Sequence, residues 1–277
     1  MEKERSREIH DYIYRVAREA SKIARESSRD RSMVSVKGLN VLGDESREID
    51  LVLERFIIEE IRREYPRAKI ISEESGVIDG GENLYFIIDP LDGSVNYATD
   101  TPYCSVSIAV VERERDKPDL VAGVVSEIFR DKTYSFISGE GVYINNTRAE
   151  KRRSPEKVLI TYLEDPRAMR AMYDIWEYMK RPKIRSLGSA ALDIVKTSLG
   201  HYIAFIDLRG RLRNIDIVSA YGFALNIGSY VTDREGSPLN IELIDIARVE
   251  SIVVSSYREI HENIIRVLRD VYKNSLV

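Results

Sequence analysis

The sequence predicts a mixed chain, an α+β half over residues 1–150 followed by an α/β half over residues 151–277. Two observations carry this. Two helix-spaced segments lead into a block of β-branched runs at 68–72, 84–88, 105–112, 121–128 and 132–137. After the basic link at 150–155 the rhythm becomes strand then helix: 158–162, 166–180, 183–187, 189–199, 202–207, 215–227, 251–255 and 260–272.

Taken in order, Ile9, Tyr12, Ile13, Val16, Ala17, Ala20, Ile23 and Ala24 recur at helical spacing and predict a long amphipathic helix. Residues 37–46 hold two glycines and the acids Asp44 and Glu45, and predict a mobile loop. Residues 49–64 return to helical spacing and stop ahead of Tyr65-Pro66, because a residue before proline disfavours the helical region. The strand at 68–72 delivers Glu73 and Glu74 at its end, and Gly76, Gly80 and Gly81 mark a loop. The strand at 84–88 is expected to break at Pro90, leaving Asp89 and Asp92 three residues apart. Asp92-Gly93-Ser94 then reads as a turn into a short helix. Gly139-Glu140-Gly141 reads as a hairpin turn, and Ser189 stands where a helix cap is expected. No internal repeat or low-complexity segment is read.

Composition narrows the function. With 43% apolar and 32% charged residues the chain can build a core under a soluble surface. A net charge of −4 gives no reason to expect nucleic acid as a partner. The single cysteine, Cys104, permits no intrachain disulfide and suits a reducing cytosol. No apolar run of about 18 residues is present, so no membrane span is expected. The charged residues 1–8 have no signal-peptide core.

Two carboxylates at a strand end, followed by a helix start, can hold a hard cation such as Mg2+ beside an anion pocket built from the Gly93 and Ser94 amides. That pairing is what hydrolysis of a phosphate ester needs. Asp-Pro and Asp-Gly are also common turn pairs, so Asp89 and Asp92 alone also read as a turn. Glu73 changes the balance. A third carboxylate at a neighbouring strand end raises a repulsion that a metal offsets and a bare turn does not. Other phosphatase chemistries are disfavoured. His10, His201 and His261 lie outside these motifs, and Cys104 has Val110, not arginine, six positions on. The acids of Asp89-Pro90-Leu91-Asp92 are spaced by three, not the two of aspartyl-phosphate enzymes, and no P-loop lysine motif occurs.

Asp89-Pro90-Leu91-Asp92-Gly93-Ser94-Val95-Asn96-Tyr97 resembles the metal-binding signature of the inositol monophosphatase family, in its archaeal branch. Asp44 to Asp50, Glu73-Glu74, Gly188-Ser189-Ala190-Ala191 and Asp216 extend the likeness over nearly the whole chain. The resemblance implies a layered α-β-α-β-α sandwich acting on inositol 1-phosphate and fructose 1,6-bisphosphate, with no covalent enzyme intermediate. It implies two or three Mg2+ ions, with Mn2+ as a substitute, and a homodimer. Glu73, Asp89, Asp92, Asp216 and the Leu91 carbonyl are the implied metal ligands. Ile215 stands before Asp216 where many members have tryptophan. Ser94, Glu73 and Asp50 are the implied activating set, and Asp44 and Glu45 reach a weaker third metal. Gly93, Ser94, Ser189 and Ala190 are implied to touch substrate, with Glu74 behind them or facing solvent. Where inositol specialists place a glutamate, this chain has Arg209, followed by Arg211 and Arg213. These read either as surface arginines or as a receiver for a second phosphate. Two alternatives stand beside this reading: a 3′-phosphoadenosine 5′-phosphate phosphatase, and a non-catalytic metal- or phosphate-binding regulator on the same fold.

Overall fold

The structure, a computed structural model, describes residues 2–114, 117–164 and 166–274. The outermost ends of the spans 1–150 and 151–277 lie outside the described residues. The first half begins with α1 (Glu2–Ser27), a 3-10 turn (Arg31–Val34) and an antiparallel hairpin of β1 (Val36–Leu39) and β2 (Glu45–Arg47). Then come α2 (Glu48–Glu64), β3 (Lys69–Ser72), β4 (Gly76–Ile78), β5 (Leu84–Asp92) and α3 (Ser94–Ala98). A meander follows: β6 (Ser105–Glu114), β7 (Lys117–Glu127), β8 (Thr133–Ile137), β9 (Gly141–Ile144) and β10 (Thr147–Arg148). The second half holds β11 (Glu156–Thr161), α4 (Pro166–Tyr178), β12 (Lys183–Arg185), α5 (Ala190–Ser198) and β13 (Tyr202–Asp207). It closes with β14 (Leu212–Arg213), α6 (Asn214–Asn226), β15 (Tyr230–Thr232), β16 (Arg248–Val249), β17 (Ile252–Ser255) and α7 (Arg258–Asn274).

Two large sheets result. One has eight strands in the order β10-β9-β8-β7-β6-β5-β3-β4, antiparallel except for the parallel β3–β5 pair. The other has five strands in the order β12-β11-β13-β17-β15, with the β12, β11 and β13 pairs parallel. Side-chain alternation along β5 shows how they stack. Phe86 and Ile88 point into a core shared with Ile13, Val16, Leu53 and Ile57 of α1 and α2. Tyr85 and Ile87 point the other way, into a core with Ile194 of α5, Phe223 of α6, and Phe205 and Val254 of the second sheet. The far face of that sheet, Leu159, Ala204, Ile206 and Val253, packs on Ala171 and Met172 of α4 and Ile264 and Leu268 of α7. The layers therefore run α-β-α-β-α, as the resemblance implies. β5 is buried along its whole length, which fits its place inside the larger sheet.

β5 does not end at the proline. It runs to Asp92 through a register shift between Asp89, opposite Ser107, and Asp92, opposite Ser105. A bulge is where a strand tolerates proline, which has no N–H to give the ladder. The Leu91 amide inside the bulge donates to the Asp89 carboxylate at 3.0 Å.

Candidate active site

One cleft of about 470 Å³ gathers most of the residues singled out in the sequence: Glu73, Asp89, Leu91, Asp92, Gly93, Ser94, Ala190, Arg209 and Asp216. Glu73 comes from the turn after β3. Asp89 and Asp92 flank the bulge, and Asp216 comes from the first turn of α6. β3 and β5 are parallel neighbours, so both deliver their acids at the same end of the sheet.

Charge is the main feature of this cleft. Burial, then Asp216 and Glu74, hold the Glu73 carboxyl well above its ordinary range. Burial, then Glu73 and Asp92, do the same to Asp89. Burial pushes Asp216 up to about 7 and Asp92 up to about 6, with hydrogen bonds from neighbouring donors pulling back. Carboxylates crowded this way favour a compensating cation. Among the described residues no three acidic, histidine or cysteine side chains already converge into a metal cage. The donors fit Mg2+ by chemistry instead. They are hard oxygens on the wall of one cleft, and the protein donors to Asp89 and Asp216 occupy one oxygen of each.

The glycines set how closely the halves approach. Gly93 sits at φ 92°, and a Cβ there would meet the Gly188 carbonyl at 3.0 Å. Gly188 sits at φ 85°, and its Cβ would meet the Asn96 side-chain nitrogen at 2.9 Å. That same Asn96 nitrogen donates to the Tyr103 and Leu187 carbonyls, each at 2.7 Å, tying α3 to the segment before α5. Sequence reasoning placed Asn96 in the motif and gave it no role.

Several expected roles shift. Ser189 is fully buried and does not line the cleft. It makes no side-chain cap to α5; its hydroxyl donates to Asp92. Ala190 lines the cleft, but its amide is also given to Asp92, at 3.0 Å. Asp50 is buried outside the cleft lining, its carboxyl pushed up to about 7 by burial, and no hydrogen bond joins it to Ser94 among the described residues. Glu74 is buried, not solvent-facing, with Glu54 and Asp44 nearby. The segment 37–46 is a hairpin, fastened to the other half where Arg213 donates to Asp44 and to the Leu42 carbonyl. Glu45 pairs with Arg47 at 3.1 Å and does not line the cleft.

The three arginines all line the cleft, on different terms. Arg209 is engaged by Asp207 at 2.7 Å and Glu164 at 2.6 Å, and its guanidinium lies 4.3 Å from the centre of the Tyr162 ring. Arg213 is held by Asp44. Arg211 keeps 63% of its side chain exposed and, among the described residues, has one polar contact, to Glu164 at 3.3 Å. It is the arginine with most freedom to meet a ligand.

Comparison with known proteins gives the chain's family. The model of the inositol monophosphatase family matches residues 6–273. The inositol-1-monophosphatase of Aeropyrum pernix is 34% identical over 221 residues, 78% of this chain and 82% of that protein. The fructose-1,6-bisphosphatase of Pyrococcus furiosus is 30% identical over 215 residues, 77% of this chain and 80% of that one. A solved inositol monophosphatase–fructose 1,6-bisphosphatase superposes with a TM-score of 0.78 over 93% of this chain and 98% of its own, at 23% identity, a likeness of fold alone. This chain belongs to the inositol monophosphatase family.

Proposed function

We propose that the protein is a Mg2+-dependent phosphatase that hydrolyses phosphate monoesters of small polyols and sugars, inositol 1-phosphate and fructose 1,6-bisphosphate among them. The observation that carries this is the cleft itself: six carboxylates from both halves, Glu73, Asp89, Asp92 and Asp216 among them, the start of α3, and three arginines on its wall. Residues 1–150 and 151–277 are read as the two halves of one catalytic unit. Relatives named for both activities share the family.

Glu73, Asp89, Asp92, Asp216 and the Leu91 carbonyl would hold two or three Mg2+ ions, for which Mn2+ would substitute. Bound there, the cation supplies acidity to a water and neutralises phosphate charge. The rest falls to the protein. The Gly93 and Ser94 amides open α3, where first-turn amides lack an intrahelical acceptor, and they donate to the phosphate oxygens. The Ser94 hydroxyl orients the attacking water, and Glu73 accepts its proton. Asp50 stands close enough to raise Glu73's proton affinity. Its acceptance from Ser94 would form only in the substrate complex, where apo catalytic contacts often tighten. Arg211 meets a second phosphate when the substrate carries one. Asp44, held by Arg213 in this structure, would reach a third metal only by giving up that pairing.

The same reading takes the protein as a cytosolic homodimer that binds neither membrane nor nucleic acid. Among the described residues no helix is long and apolar enough to cross a membrane. The test is phosphate release from inositol 1-phosphate, fructose 1,6-bisphosphate and 3′-phosphoadenosine 5′-phosphate, with Mg2+ and with chelator. Release from the sugar and polyol esters that chelator abolishes is the expected result. Release from the nucleotide alone would move the protein to the neighbouring specificity. No release from any ester would favour a binding role.

A further inference from the structure

Asp92 is fastened by one oxygen and left open at the other. Its Oδ2 accepts from the Ser105 hydroxyl at 3.2 Å, the Ala191 amide at 3.0 Å and the Ser189 hydroxyl. Among the described residues its Oδ1 accepts only from the Ala190 amide, at 3.0 Å. A carboxylate oxygen offers about two lone-pair directions, so Oδ2 is filled and Oδ1 keeps one free. Asp92 lines the cleft, whereas Ser105, Ser189 and Ala191 stand behind it. Both serines are wholly buried, and their hydroxyls lie 3.4 Å apart, so each limits the other's rotation. The donors come from both halves, Ser105 from β6 and the others from the start of α5.

We infer that Ser189, supported by Ser105, is a positioning residue that locks Asp92 through Oδ2 and leaves Oδ1 as its single metal-ligating atom. Ser189 then acts on metal affinity from behind the cleft wall, while Gly188 and Ala190 beside it line the cleft. This inference rests on the reading of Asp92 as a metal ligand. If the serines only satisfied a buried carboxylate, removing one would lower stability and leave metal affinity alone. If they mainly drew charge away from the ligand, removing one would tighten binding. Geometric locking predicts weaker binding, because Asp92 would then spend time in rotamers that do not face the cleft.

The test is calorimetric titration of Mg2+ into substrate-free protein, with circular dichroism and thermal unfolding as fold controls. Ser189→Ala should weaken Mg2+ binding on the order of 10-fold, within the range lost when outer-shell partners of metal ligands are removed. Ser189→Thr keeps the hydroxyl and should recover most of that loss. Turnover of Ser189→Ala at saturating Mg2+ should fall less than its metal affinity. Asp92→Asn separates this inference from the reading beneath it. If Asp92→Asn loses Mg2+ while folded Ser189→Ala binds it as well as or better than the parent, the positioning role is wrong. If Asp92→Asn binds Mg2+ like the parent, the ligand assignment fails and takes the inference with it. Should Ser189→Ala not fold, Ser105→Ala removes the other hydroxyl from the same oxygen. It must show a loss in the same direction, and an unchanged affinity there overturns the inference.

Discussion

Arg47-Glu48-Ile49-Asp50 opens α2 in the first half, and Arg213-Asn214-Ile215-Asp216 opens α6 in the second. Each arginine is the extended residue before its helix, at φ −107°, ψ 161° and φ −112°, ψ 162°. Each arginine amide donates to the aspartate three residues on, at 2.8 and 2.7 Å. Both isoleucines are buried, and both aspartates are pushed up to about 7, first by burial. Each carboxylate satisfies one of the amide donors that a helix start leaves open and meets the positive end of the dipole. Yet Asp216 lines the cleft and Asp50 does not. The arginine side chains also part company. Arg47 stays local, on the Val34 carbonyl and Glu45, whereas Arg213 crosses to the hairpin of the other half. The same four-residue pattern fixes a cap in both places. Its position beside the cleft is what makes one of the two carboxylates a ligand candidate.

The largest expected effect comes from breaking the cleft side of this comparison. Asp216→Asn and Asp89→Asn each remove a ligand charge at constant size and should abolish measurable phosphate release while the protein still folds. A folded mutant with near-normal rate at saturating Mg2+ would contradict the metal assignment. Asp50→Asn should cost less than either.

Ser94→Ala should lower kcat on the order of 100-fold, as misplacement of a reacting group does, with little change in KM because the backbone amide remains. A normal kcat with raised KM would mean that Ser94 only holds substrate.

Arg211→Ala should lower kcat/KM for fructose 1,6-bisphosphate by about one to two decades, from the roughly 1.5–3 kcal/mol of a charge-assisted contact. Inositol 1-phosphate should be nearly unaffected. Arg209→Ala should hurt both substrates alike, because Arg209 is already engaged with Asp207 and Glu164. Equal losses from Arg211→Ala would place Arg211 in a structural role.

The smallest effect sharpens the comparison by pH. A carboxyl raised in the folded state keeps its proton there up to about 7, as Asp50 and Asp216 do, while the unfolded chain releases it near 4. Their contribution is therefore fully present at low pH and is lost as pH rises through about 7. In chelator, Tm should fall between about pH 4 and 7, and Mg2+ should restore it by about 2.7 kcal/mol of stability at one hundred times its Kd. Carboxyl NMR should show the Asp216 midpoint falling on Mg2+ addition more than that of Asp50. Equal shifts would place both acids at the metal.

The order of helices and strands and the acids at 73, 89 and 92 were legible from local signals, whereas the layering and Asp216 as a ligand came with the family resemblance. Helical spacing marked α1 and α2, β-branched runs marked β5 to β8, the strand-then-helix rhythm marked α4 to α7, and Asp-Gly-Ser marked the start of α3. The two-residue strands β10, β14 and β16 hold no more than one alternation of a pleat and left no pattern. The extension of β5 past Pro90 depends on pairing with Ser105 and Ser107, which no local window contains. The grip of Ser189 on Asp92 joins residues 97 apart, so the serine read as a cap or a substrate contact. The Arg-x-Ile-Asp pair was visible in the sequence and passed over, because a four-residue repeat is too short to register as an internal repeat.

The claim that the cleft carboxylates hold the divalent cation is tested most directly by Mg2+ calorimetry on the parent, Asp216→Asn and Asp50→Asn. The account predicts that Asp216→Asn loses most of the binding while Asp50→Asn retains it. Parent-like binding by folded Asp216→Asn, or equal loss in both variants, would contradict it.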